Sequence, residues 1–491
     1  MTVAIARRRN SRLDWLLLRW QARLDAAWAD RVVPWALAGL LFIVYFSIAL
    51  ARVDRLDTGS DLARAVQAAW QIGHFNSPET TVGADVNYFG LGLPLAFVPI
   101  ALLTRLLPAT GTILAAQSAS LALGVVPIWL LARRAANLRV GAAGALVVAY
   151  ALHPAVLDLS LADFHPMAMA LTPLVAAAYA AERRRWRQLA VFSVLAVALN
   201  AELGLVVAML GLILVLEGER RAGTVTALLG LAWTVASVVF VQHRLGSGFV
   251  AVGAFDAYGD SGLEVLIEML RNPFRPLGDL FAQENIEVVV WILAPLLFIP
   301  LVGARKLVPA LPLQALYFIA DVPTTGPAGG ARIVPLLAFA FVAAPFGLAR
   351  LGRRSLERVL VDHRILLLLV SAAVASLLTT SVVGPYGNGW SRDREGREEL
   401  RAILAAVPDD VRIRVPESIA AEVAERSRVE VLERDDDAPV TLTAGVDALV
   451  VDEAELDELD PYQRFLLRRR IEERGFVLVE RVEGLNLFVR R

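Results

Sequence analysis

The feature that most constrains this chain is a recurrence: about eleven apolar runs separated by short loops in which arginine collects. Each is near the ~17–25 residues that cross a bilayer as a helix, or shorter where two form a hairpin. They lie near 33–51, 110–132, 140–156, 166–181, 188–200, 203–216, 222–243, 286–302, 307–320, 332–348 and 365–383. A soluble globular chain is nearer half apolar; here 57% of 491 residues are hydrophobic and the excess is gathered into those runs. The expected fold is a mainly α polytopic membrane protein, and the bilayer is its first partner. The formal net charge of -1 hides a strong segregation of signs, so bulk charge gives no indication of nucleic acid. Without cysteine there is neither disulfide nor thiolate chemistry.

Charge placement orients the runs. The segment 91–106 is apolar but contains Pro94 and Arg105 and ends at Pro108. Treated as a helix that lies in the outer interface or re-enters, it lets every later loop obey the positive-inside rule. Arg133-Arg134, Arg183-Arg184-Arg185, Arg220-Arg221, Arg305-Lys306 and Arg350 through Arg364 then face the cytoplasm. The outer loops become 52–109, 154–165, the turn Asn200-Ala201-Glu202, 244–285, 321–331 and everything after Gly384. Residues 1–32, with Arg7, Arg8, Arg9 and then Trp15, Trp20 and Trp28, resemble no cleavable signal. They suit an amphipathic helix on the cytoplasmic face, or equally a solvated one. The expected division is 1–32 cytoplasmic, 33–384 transmembrane, and 385–491 a small extracytoplasmic α/β domain.

In that last part, alternation of periods predicts helices over 400–407, 419–426 and 461–474 and strands over 411–415, 429–432, 448–451, 476–482 and 485–489. It has no glycine-rich turn for a nucleotide. Asp435-Asp436-Asp437 suits a solvated turn better than a metal site, because consecutive carboxylates do not converge.

Polar residues other than Arg and Lys gather in the outer loops. Asp57, Asp61 and Gln67 follow the first run; Asp158, Asp163 and His165 follow the third; Asp256, Tyr258 and Asp260 precede the eighth. Titratable groups at the end of a spanning helix are costly unless they face water or a partner, so Leu161-Ala162-Asp163-Phe164-His165-Pro166 is a candidate site. His165 suits a proton shuttle, a metal ligand or a phosphate donor, with Asp163 fixing its tautomer; an ordinary hydrogen-bonded histidine is the competing reading. Pro166 stands at the favoured first position of the next helix. Asp61 or Ser60 could cap the helix that begins there, and a carboxylate so placed could also take a proton from an acceptor hydroxyl. Glu202, in a polar turn between two short apolar helices, needs a cation or hydrogen bond, or else a wet cavity. Arg332 could grip a phosphate or snorkel to headgroups. A divalent cation is compatible with Asp61, Asp163, His165 and Glu202, though the spacing does not demand one. No HExxH, paired CxxC or Walker loop occurs.

With the segment Asp61 to Trp70, Asp163-Phe164-His165-Pro166 and the polar-turn hairpin in view, the chain resembles the domain-of-unknown-function 2079 family of bacterial multispanning proteins. The resemblance runs from about residue 57 to residue 350 and takes in Tyr258-Gly259-Asp260 and Pro273. It implies a branch of the C-type glycosyltransferase fold, with a polyprenyl-phosphate-linked sugar as donor at the outer face. An acid of the first outer loop, here Asp61, would then be the base. Asp163 and His165 would complete the catalytic group, with Gln67, Trp70, Glu202, Tyr258 and Arg332 binding substrate. The chain departs from the pattern at Val66, where a second acid is expected, at Tyr88 and Gly92, at Asn200-Ala201-Glu202 and at Ala331-Arg332. The alternative is a transporter or flippase for a lipid-linked precursor, or a scaffold for envelope assembly. A transporter would carry polar groups near the midplane on broken helices, often with internal repeats; no convincing repeat is present.

Overall fold

The structure is a computed structural model. It describes residues 25 and 28–490, apart from 56–57, 84, 162, 246–254, 256–257, 260–261, 321–329, 356–357, 380–400, 402–403, 405–406, 409–410, 433–444, 453–459 and 483–484. The expected N-terminal helix, Asp57, Asp256, Asp260, the acidic run 435–437 and the junction at 385 therefore lie outside the described residues.

Helix α1 (Ala29–Asp54) is about 39 Å long at 1.5 Å per residue. It buries Pro34, Ala38, Tyr45 and Ala49 along one stripe and leaves Val32, Trp35, Leu40 and Ile43 exposed. An outer face of large apolar side chains is the arrangement of a helix that meets lipid. Helix α2 (Ser60–Gly73) is amphipathic and packs against the bundle end. The apolar segment that follows contains only a seven-residue helix, Phe97–Leu103, too short to cross, with Leu102, Leu103, Leu106 and Leu107 exposed. That agrees with a segment lying at the bundle's end.

Beyond the helices between residues 109 and 182 come α3 (Trp186–Leu199), which packs mainly on Leu171–Glu182, and then α4 (Gly204–Leu216) and α5 (Arg220–Ala236), which pack closely on each other as a hairpin. Helix α6 (Leu311–Ile319) packs on α4 and on α7 (Val334–Leu351), which is apolar and buried nearly all round and so forms the centre of the bundle. Among the described residues, four helices are long and apolar enough to cross a bilayer: Ala29–Asp54, Ala109–Ala135, Arg220–Val239 and Ala331–Leu351. The pair Val140–Ala151 and Pro154–Leu161, bent by 46°, adds a fifth, and three shorter apolar helices accompany them. Eleven spans are expected from the apolar runs; among the described residues some of those runs form shorter helices and others are broken within the run. The run 286–302, for instance, is interrupted where Leu297 and Phe298 turn left-handed between Pro295 and Pro300.

The basic loops converge on one end of the bundle. Arg183 Nη1 donates to the Arg134 carbonyl (3.2 Å), Arg184 pairs with Glu219 (2.8 Å), and Lys306 pairs with Glu182 and reaches Glu217 at 3.2 Å. At the same end Arg133, fully buried, bonds Asp30 (2.7 Å) and Asp25 (2.6 Å). A hairpin of Arg353–Ser355 and Arg358–Leu360 closes against this end: Val359 N–H donates to the Asn137 carbonyl at 2.9 Å.

At the other end stands a five-stranded mixed sheet. Its strands are β1 (Ile413–Val415), β2 (Val429–Val431), β3 (Ala448–Asp452), β4 (Phe476–Val482) and β5 (Leu485–Arg490), in the order β2-β1-β3-β5-β4. The first three are parallel; β3-β5 and β5-β4 are antiparallel. Alternation along β3 sends Ala448 and Val450 into the core shared with the helices, and Leu449 and Val451 onto Leu467 and Ile471 of the helix Pro461–Glu473. All five strands fall where the sequence pattern predicts them. Of the expected 419–426 helix, one turn of 3₁₀ (Glu417–Ile419) and Ala420–Val423 form.

Candidate functional site

A cavity of about 260 Å³ opens at the end of the bundle that carries the sheet. Its walls include Asp61, Arg64, Tyr88, His165, Asn200, Glu202 and Arg332, with Leu91, Pro94, Phe164, Met167 and Leu199 as apolar lining. Residues from five separate stretches of sequence thus meet around one space.

Asp61 stands in the first turn of α2, facing its partners across that turn. Its Oδ1 accepts from Arg64 Nη1 at 2.6 Å, an i,i+3 pair, and its Oδ2 lies 3.3 Å from His165 Nε2. His165 is held by its backbone, whose N–H donates to Gln117 Oε1 (2.9 Å), while Gln117 Nε2 donates to the Leu159 carbonyl (3.0 Å). Pro166 opens the next helix at its first position, as expected.

The opposite wall is the polar turn between α3 and α4. Asn200 Oδ1 accepts from the Glu202 N–H at 2.8 Å, and the buried Glu202 carboxylate accepts from the Tyr317 hydroxyl of α6. The expected hydrogen bond to Glu202 thus comes from a residue that sequence reasoning did not single out. The segment after Tyr88 ties the wall together, because the Gly92 carbonyl accepts from Ala201 N–H at 2.8 Å. Gly92 has φ +129°, a backbone conformation that favours glycine, and a Cβ there would press on Asn200 Nδ2 at 2.8 Å.

Three expected site residues sit elsewhere. Gln67 is fully buried and its polar atoms are taken up: Oε1 accepts from Thr81 N–H (2.8 Å), and Nε2 donates to Thr81 Oγ1 (3.1 Å) and to the Ser427 carbonyl (3.2 Å). Trp70 packs its ring on His74, centroids 4.4 Å apart, nine residues and so about 13 Å along α2 from Asp61. The Tyr258 hydroxyl bonds Asp279 and its ring lies under Arg275, in a small cluster with Phe255 and Ala320.

Asp163 is close to the cavity but does not line it. Its Oδ1 accepts from the Gly59 N–H at 2.8 Å, and a Cβ at Gly59 would approach Oδ2 to 2.2 Å, which only glycine avoids. Burial pushes the Asp163 carboxyl above the usual carboxylate range, against the Gly59 bond and the charge of Arg52, which favour ionisation. Neither Ser60 nor Asp61 is the helix cap: the cap position is Gly59, and the Ser60 N–H donates to Glu417 Oε1 at 2.9 Å. Among the described residues no three His, Asp or Glu side chains group closely enough to hold a metal ion, so the four residues considered for a shared cation do not form one ligand set.

Two cavity residues were not anticipated. Arg64 carries a local signal, its i,i+3 spacing from Asp61. Tyr88 stands where the chain departs from the family pattern, not at an expected site position; burial, and then the Asp61 charge, push its phenol well above its ordinary value.

With this geometry in view, comparison with known proteins decides the family. The model of the predicted membrane protein family DUF2079 matches residues 52–485. The chain belongs to this family. DUF2079 proteins thus include a chain whose fold is shared with ArnT from Cupriavidus metallidurans. Against the crystal structure of ArnT bound to undecaprenyl phosphate, the TM-score is 0.52 at 11% identity, covering 94% of this chain and 98% of ArnT. Against apo ArnT it is 0.51 at 13%, covering 91% and 97%. The Archaeoglobus fulgidus oligosaccharyltransferase in its apo form is more distant, with a TM-score of 0.45 at 12% identity over 90% of this chain and 73% of that one. This DUF2079 member is thus a predicted membrane protein by family, with a mainly helical fold similar to that of ArnT. No curated protein matches the chain in sequence.

Proposed function

We propose that this DUF2079 protein transfers a sugar from a polyprenyl-phosphate carrier to an acceptor at the outer face of the cytoplasmic membrane. The observation that carries the reading is the convergence of Asp61, His165, Glu202 and Arg332 on one cavity at a bundle end. ArnT, whose fold is similar, is seen with undecaprenyl phosphate, which supports a polyprenyl phosphate as the lipid partner.

Asp61 acts as base. It takes the acceptor hydroxyl proton as that oxygen attacks the anomeric carbon; the bond from that carbon to the phosphate oxygen breaks, and the polyprenyl phosphate leaves with the electron pair. His165, against Asp61 Oδ2, orients the carboxylate and shares the proton it receives. Arg332 stabilises charge growing on the departing phosphate, a role worth most in a partly dry cavity. Leu91, Pro94 and Leu199 give the carrier's first isoprene units an apolar approach.

The transport alternative calls for polar groups at the midplane, and these lie at one end. The scaffold alternative gives no reason for a cavity joining an acid, an imidazole and a guanidinium. The test is Asp61→Asn, which keeps size and removes the base. Loss of a general base costs about 10²–10⁴-fold in rate. The expected outcome is loss of one cell-envelope glycan with the protein present at normal level; an unchanged envelope would overturn the reading.

A further inference from the structure

The contact between α2 and the C-terminal sheet holds the start of the helix that carries Asp61. A helix leaves its first N–H groups without internal partners, and a side chain at the cap normally takes one. Here the cap residue is Gly59, which has no side chain to offer. Its own N–H is taken by Asp163 Oδ1 (2.8 Å), and the next, that of Ser60, by Glu417 Oε1 (2.9 Å). The two amides immediately before Asp61 are therefore each bonded to a carboxylate from a distant part of the chain.

The grip continues on both sides. Thr58 Oγ1 donates to the Ser418 carbonyl at 3.3 Å, Gln67 Nε2 to the Ser427 carbonyl at 3.2 Å, and Thr81 Oγ1 to the Val429 carbonyl at 2.6 Å. Residues 417–429 thus run along α2, and Glu417 is the one that meets its positive end, where an anion is also favoured by the helix dipole.

We propose that Glu417 is a positioning residue for the Asp61–His165 pair, so that the C-terminal unit is a working part of the site. This rests on the reading of that pair as the reacting centre. If the first turn of α2 frays, Asp61 leaves His165, and a misplacement of about 1 Å at a reacting group costs on the order of 100-fold in rate. Glu417 is itself exposed, so its replacement removes this bond and little packing.

The experiment reads the pair directly, without sugar transfer. Purified full-length protein in nanodiscs is treated with diethyl pyrocarbonate, and acylation of each histidine is followed by mass spectrometry. The His165 Nε2 held against Asp61 reacts slowly; Asp61→Ala sets the upper limit. One hydrogen bond's net worth, about 0.5–1.5 kcal/mol, converts to about a two- to tenfold change in exposure of the ring. Glu417→Ala is expected to speed His165 labelling by that factor and leave the exposed His363 unchanged, while Glu417→Gln, which keeps the acceptor oxygen, labels at the wild-type rate. Thr58→Val gives the same readout at smaller amplitude should Glu417→Ala not fold. Wild-type His165 labelling in both Glu417→Ala and Thr58→Val would overturn the proposal, as would equal acceleration in Glu417→Gln. Failure of the sugar-transfer reading would appear separately, in the envelope of the Asp61→Asn strain.

Discussion

At the scale of single residues, Asp61 and Asp163 are two acids with different roles, and the difference is open to measurement. Asp61 lines the cavity, whereas Asp163 turns toward the Gly59 amide behind it. Because burial raises the Asp163 carboxyl above its usual range, the fold binds its proton more tightly than the unfolded chain does. Its contribution therefore favours the fold at acid pH, declines as pH rises through the ordinary carboxylate value toward the raised one, and is a standing cost above both. Asp163→Asn keeps an acceptor for Gly59 and removes the charge. The expected result is a variant at least as stable as wild type at neutral pH, with the difference shrinking as pH falls, measured as apparent Tm across pH 4–8. Asp163→Ala strands the Gly59 amide and is expected to lose about 1–3 kcal/mol. Equal stability of all three at every pH would remove Asp163 from its positioning role. That an acid stands beside the site was legible in the sequence, but which group it bonds was not. The Gly59 and Ser60 amides are bonded from more than a hundred residues away, and no local window contains such a pairing.

At the scale of elements, apolar period found the helices, and glycine spacing explains how two of them meet. In α4 Gly204 and Gly211, and in α5 Gly223 and Gly230, stand two turns apart and so share a face. A Cβ at Gly211 would reach Ala227 N at 2.3 Å, and one at Gly230 would reach Ala208 N at 2.6 Å, both backbone atoms that cannot yield. Such close approach is how helices associate where lipid removes the hydrophobic drive. Gly211→Leu is therefore expected to lower stability by about 1–3 kcal/mol or more and, because α4 begins next to Glu202, to disturb the cavity wall. Gly39→Leu on the open face of α1, with nothing within 4 Å, is the control expected to be neutral. Thermal unfolding in detergent compares the two; a neutral Gly211→Leu would mean that the hairpin is looser than described. Elements with strict period or turn punctuation, such as the five strands of the C-terminal sheet, were legible because the pattern is local. The break at Leu297-Phe298 was not legible from hydropathy, because the apolar run continues through it; Pro295 and Pro300 on either side are its local signal.

At the scale of the whole molecule, the bases of the inter-helix loops interlock at one end, Arg183 on Arg134 and Lys306 on Glu182 and Glu217, while Asp61, His165 and Glu202 gather at the other. That separation was legible from charge because translocation selects against Arg and Lys clusters in short loops whatever the fold does, so several loops carry one message. Burial qualifies it: Arg133 is enclosed by Asp25 and Asp30 and serves the packing of the basic end as much as its orientation. If the transfer reading is right, a lipid-linked donor and an envelope acceptor meet only when the acid end faces away from the cytoplasm. Reporter fusions after Pro166 and after Arg491 are then expected to report the extracytoplasmic side, and one at Gly218, in the turn between α4 and α5, the cytoplasm. The same partition is also demanded by contact, since Ser418 and Glu417 touch the turn before Asp61 and Arg184 touches Glu219 next to Gly218. Opposite compartments at Pro166 and Arg491 would contradict the α2–sheet contact itself, while agreement of both with Gly218 would leave the contact standing and remove the orientation that sugar transfer requires.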